Sequence, residues 1–98
     1  MKELKEEIET IIKELDSIVE MFYQQKTQEA YMKLNPVLEK IMEITELIQK
    51  YYEEFNMEEL LGALKEALSA MEERDAILMA DVLKYEVIEK LNDIAAHI

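Results

Sequence analysis

The chain has 98 residues, 50% of them apolar and 35% charged, and its 23 acids against 11 bases leave a formal net charge of −12. One glycine, one proline and no cysteine exclude a turn-rich sheet protein and a disulfide or zinc-thiolate scaffold, while the apolar content excludes a disordered acidic tail. What remains is a soluble all-α domain, and 98 residues suit a single domain spanning 1–98.

The first predicted helix covers about 3–24. Its apolar seam falls at Met1, Leu4, Ile8, Ile11, Leu15, Ile18 and Phe22, in alternating steps of three and four, and Ile12 and Val19 widen it. Gln24 to Thr27 interrupts the pattern, and Thr27 is placed to cap a second helix with Glu29 in its first turn. That helix is expected over 27–54. Asn35-Pro36 resembles a helix start, yet the seam Ala30, Leu34, Val37, Ile41, Ile44, Ile48, Tyr51, Phe55 keeps its rhythm through the proline. One helix, kinked near Pro36, accounts for both signals.

Asn56 is expected to cap a third helix over about 57–73, with Glu59 completing a capping box and a seam at Met57, Leu60, Leu64, Ala67 and Met71. Gly62 inside it costs roughly 1 kcal/mol relative to alanine, either to admit a close neighbour or as a tolerated weakness. Asp75 then caps a fourth helix over about 76–96, with a seam at Ile77, Ala80, Val87, Leu91, Ile94 and Ile98. Connections of a few residues force neighbouring helices antiparallel, giving an up-down-up-down antiparallel four-helix bundle. Predicted helix 2 spans about 42 Å and helix 3 about 25 Å, so part of helix 2 is left uncovered.

The residues offer little catalytic chemistry. His97 is the only histidine and Ile94 stands three residues before it, so the Glu-x-x-His pairs of di-iron bundles are absent. Ser17 and Ser69 have no histidine base beyond that terminal one. Glu72 and Asp75 match the spacing of the second half of an all-α pyrophosphohydrolase metal motif, but no Glu-Glu pair supplies the first half. No metal ligand, cofactor or catalytic residue is therefore assigned. Each predicted helix region is itself acidic, which disfavours nucleic acid and anionic membranes as partners. The N-terminus has no secretory h-region, and a cytoplasmic location is the expectation. Seven methionines, Met21, Met32, Met42 and Met79 among them, leave room for an adaptable binding surface.

The stretch Ala76 to Leu83 contains one polar residue, Asp81, and is apolar nearly all round, although a bundle helix needs only one buried face. Leu78, Met79, Val82 and Tyr85 are the candidate interface. Asp81 and Lys84 form either a buried polar pair that sets register or an edge aspartate beside a snorkelling lysine.

Within this stretch Asp75, Leu78, Ala80, Asp81, Leu83, Tyr85 and Glu86 resemble a D-x-x-L-x-A-D-x-L-x-Y-E segment near the C-terminus of small uncharacterised helical proteins of Gram-positive bacteria. The resemblance implies a bacterial cytosolic origin and adds no mechanism. The functional expectation is a non-enzymatic interaction protein that self-associates, as a homodimer, through helix 4. The alternatives are an adaptor or export-type chaperone for a client's amphipathic or basic helix and, as an enzyme, a carboxylate-metal hydrolase.

Overall fold

The computed structural model describes residues 2–98, which form four helices and no strand. Helix α1 is Lys2–Tyr23 and buries Leu4, Ile8, Ile11, Leu15, Ile18 and Phe22, together with Val19. Met1, the first member of the expected seam, lies outside the described residues. The helix ends in a Schellman turn: Gln25 takes φ 66°, the Lys26 N–H donates to the Met21 carbonyl at 2.9 Å, and the Gln25 N–H donates to that of Phe22 at 3.1 Å. Helix α2 then begins at Thr27, so Thr27 is its first residue instead of its cap.

Helix α2, Thr27–Tyr51, runs unbroken through Pro36. Proline removes the hydrogen bond to the Met32 carbonyl one turn back, and both residues are exposed, so water can reach that oxygen. The helix stops three residues short of the expected end because Tyr52 and Phe55 turn onto the core in the reversal towards α3. Tyr51, expected on the seam, is exposed.

Helix α3 is Glu58–Glu72. Asn56, the expected cap, lies one position before the actual cap residue Met57, its Oδ1 accepting from the Glu58 N–H at 2.9 Å, and Glu59 is paired with Lys90 instead of closing a capping box. A second Schellman turn, with Arg74 at φ 56° and the Asp75 N–H donating to the Ala70 carbonyl at 3.0 Å, leads into α4. Asp75 caps α4 as expected, its Oδ1 accepting from the Leu78 N–H at 3.0 Å.

Helix α4 comprises Ala76–Val82, a π-helical turn at Leu83–Val87, and Ile88–His97. The π turn is marked by the Ile88 N–H donating to the Leu83 carbonyl, five residues back. A π turn inserts one residue into the helix. It corrects the expected seam Ile77, Ala80, Val87, Leu91, Ile94 and Ile98, which assumes one α-helical pitch throughout. With one residue inserted, the buried face before the turn comprises Met79, Ala80, Val82 and Leu83, whereas after it the face comprises Val87, Ile88, Leu91, Ile94 and Ala95. Ile77 rotates out to 57% exposure and Met79 rotates in to 0%. The segment Ala76 to Leu83 reads as apolar all round because Ile77 and Leu78, though exposed, are apolar and lie opposite its buried face.

Contacts between helices fix their directions. Glu14 meets Lys40 and Phe22 meets Tyr31, so α1 and α2 are antiparallel. Glu59 meets Lys90 and Glu66 meets Glu86, so α3 and α4 are antiparallel as well. Helix α1 packs on α2 and along α4, and α4 packs on α3. The spatial order is therefore α2–α1–α4–α3, with α2 and α3 at its two ends and no comparable packing between them. The long dimension, 37 Å, is the length of α2 at about 1.5 Å per residue.

Candidate functional site: an apolar cleft between α2 and α3

Helix α3 presents two different faces. Leu60, Ala63, Ala67 and Ala70 are buried, and α3 packs on α4. Leu61, Leu64 and Leu68, spaced i, i+3, i+7, lie on another stripe, with Leu64 buried and Leu61 and Leu68 exposed. Helix α2 commits Leu34, Val37, Ile41, Ile44 and Ile48 to α1 and turns Met42, Thr45 and Gln49 the other way, with the same spacing. The two leftover stripes face each other across a cleft of ≈480 Å³.

Thr45 and Leu64, both buried, form its floor. The Thr45 hydroxyl donates to the Ile41 carbonyl at 2.8 Å, so it presents its methyl group without leaving an unsatisfied polar atom. The walls are apolar and open, with Met42 59% and Leu68 47% exposed. Other concavities carry more charge; the one beside Leu4 and Tyr51 is lined by Glu3, Glu6 and Glu7. Glu46 and Lys65 stand at the cleft's rim. Heptad spacing puts Glu39 on the Glu46 stripe, and Glu58 and Glu72 on the Lys65 stripe, so the two stripes that continue the rim beyond the cleft carry four carboxylates and one ammonium.

The residues predicted from helix 4 divide differently. Met79 and Val82 are in the core and cannot line an outer surface, because the π turn faces them inward. Leu78 and Tyr85 are exposed, and Ile77 joins them. Asp81 and Lys84 are not a buried ion pair: Asp81 is half-buried and Lys84 is exposed. The Tyr23 hydroxyl instead donates to Asp81 Oδ1 at 2.7 Å, tying the end of α1 to the start of α4. This bond holds the phenol proton and pushes the Tyr23 pKa up to about 12. Lys84 Nζ lies 5.8 Å from the Tyr23 ring centre and 5.2 Å from that of Tyr85, at cation–π range.

Further titratable contacts join α3 to α4. The Lys90 ammonium donates to Glu59, lowering the Glu59 pKa and raising its own. The Glu86 and Glu66 carboxyls share a hydrogen bond that requires a proton, which raises the Glu86 pKa. Burial raises the Tyr31 phenol pKa, with the Asp75 charge adding to it, and the Tyr31 hydroxyl has no hydrogen-bond partner among the described residues.

Among the described residues, no three His, Asp or Glu side chains converge in a way that could hold a metal ion. Glu72 ends α3 and the Asp75 carboxylate is occupied by its cap. Among the same residues, no helix is long and apolar enough to cross a membrane.

Sequence reasoning missed the cleft walls Leu61 and Leu68 and named Met42 only as one of the methionines that leave room for an adaptable binding surface. The signal was present as a second stripe on each helix, offset from the seam. A search among curated proteins and one among solved structures each give no match. Over residues 1–97 the sequence matches the family described as a domain of unknown function (DUF8042), and the chain belongs to that family.

Proposed function

We propose that this protein is a non-enzymatic interaction module that receives a helix of another protein in the cleft between α2 and α3. The observation that carries this reading is the exposure of Met42, Leu61 and Leu68 along the walls of one cleft, above a floor of buried Thr45 and Leu64. Two parallel stripes with i, i+3, i+7 spacing make a groove of the kind into which an amphipathic helix lays its apolar face. Methionine and leucine walls can adjust to the incoming side chains. The resemblance of residues 75–86 to proteins of Gram-positive bacteria supports a bacterial cytoplasmic setting.

The test is titration with a neutral amphipathic Leu/Gln helical peptide, followed by methyl chemical shifts. Saturable shifts at Met42, Leu61 and Leu68, lost in the L61E/L68E variant, are expected. No shift at these methyls at millimolar peptide would defeat the reading.

A second reading, self-association through α4, draws on the neighbouring exposure of Ile77, Leu78 and Tyr85. Light scattering after size exclusion checks it: a mass near twice 11.6 kDa that falls on Leu78→Lys is the outcome it requires.

A further inference from the structure

Resting on the helix-receiving reading above, we infer that the cleft selects a cationic amphipathic helix, one whose apolar stripe is flanked by lysine or arginine. The apolar floor and walls supply adhesion without discriminating among amphipathic helices; the rim supplies the choice. On the α2 side Glu39 and Glu46 stand seven residues apart, two turns or about 10 Å along the helix. On the α3 side Glu58 and Glu72 bracket Lys65, again at seven-residue steps. All five are exposed and none takes part in a salt bridge among the described residues.

A helix seated on Leu61, Leu64 and Leu68 has its own flanking positions above these stripes, because helical side chains repeat on one face every seven residues. Bases at that interval meet Glu39 and Glu46 on one edge. On the other edge bases meet Glu58 and Glu72, with an acid or neutral residue favoured opposite Lys65. An acidic helix would place carboxylates against four carboxylates on a chain of net charge −12. The same charge opposes a second copy of this chain as the occupant, since docking would bring two such surfaces together.

The experiment uses the full chain and two peptides of about 18 residues with the same leucine stripe, one flanked by lysine and one by glutamate. Affinities are measured by fluorescence anisotropy at low and at physiological ionic strength. The lysine peptide is expected to bind at least about tenfold more tightly, with the margin shrinking as salt rises. In E39K/E46K the margin should fall or invert, in Lys65→Glu it should widen, and L61E/L68E should remove binding of the lysine peptide. Charge reversal on the far side, at Glu9 and Glu20 of α1, should change affinity by less than about twofold.

Equal binding of the two peptides would overturn the charge preference and leave the helix-receiving reading standing. Binding of neither would overturn both. An effect of E9K/E20K as large as that of E39K/E46K would show diffuse attraction to an acidic surface and would also overturn the inference.

Discussion

Helix α2 carries two stripes at helical spacing, one wholly apolar and one with Met42 beside Thr45 and Gln49, and the molecule uses them in opposite ways. The stripe containing Ile41 is closed against α1, while the adjacent stripe containing Met42 opens on the cleft. Both obey helical spacing. What differs is the neighbour: α1 packs against α2 with a buried row of Leu, Ile and Phe, whereas α3 packs on α4 and not comparably on α2. The comparison teaches that an apolar stripe at helical spacing identifies surface in need of cover, and that only the placement of other helices decides whether the chain covers it.

The largest expected effect separates these two neighbours directly. Ile41→Ala removes a fully buried side chain, leaves a cavity, and is expected to cost about 2–5 kcal/mol in denaturant unfolding. Met42→Ala, one residue later, should change stability by less than about 0.5 kcal/mol and weaken peptide binding instead. Equal losses would mean that the cleft is closed in solution.

Gly62 sharpens the contrast on α3. A Cβ built there meets nothing within 4 Å, which decides between the two expectations: the glycine is tolerated and admits no close neighbour. Gly62→Ala should therefore raise stability by about 1 kcal/mol through the lower backbone entropy cost. A loss of stability would show that a neighbour approaches this face after all.

The π turn of α4 allows a smaller but more specific test. Deleting exposed Tyr85 removes the inserted residue and lets α4 continue as an α-helix, with Met79 and Leu91 now on one uninterrupted face. The variant should fold, with a thermal midpoint within about 8 °C of the parent. A deletion within α1, where no inserted residue exists, should unfold the chain by rotating half its seam out of the core.

The smallest effects concern pH and have opposite signs. Glu59 has a lowered pKa, so its stabilisation is present above the ordinary carboxylate range and lost as pH falls through the folded-state value. Glu86 has a raised pKa, so its contribution is present below that range and lost as pH rises through the folded-state value. Melting curves should show Glu59→Gln less stable than the parent at neutral pH, with the two converging in acid. Glu86→Gln, which keeps a donor to Glu66 at every pH, should exceed the parent at neutral pH and converge with it in acid. The reverse order for either variant would break its assignment.

Much of the fold was legible in the residues. The α1 and α2 seams, the continuity through Pro36 and the Asp75 cap all depend on local spacing and local hydrogen bonds, which a sequence displays. The helix ends at Thr27, Asn56 and Tyr51 were displaced because turn geometry and the inward packing of Tyr52 and Phe55 chose the boundaries. The candidate site was less legible. Uncovered surface on helix 2 was expected from its length, yet Leu61 and Leu68 were overlooked, and Met79 and Val82 were assigned to a surface they do not reach.

By itself the sequence determined an all-α chain, its helix count, its main seams and its acidic surface, because each follows from composition and from a repeat of three to four residues. Tertiary structure alone decided two things. The order α2–α1–α4–α3 leaves the cleft open, since α3 packs on α4 and not comparably on α2. The π turn decided which side chains of α4 are core, since one inserted residue rotates everything beyond it by about 100° and no periodicity drawn at constant pitch can register the change.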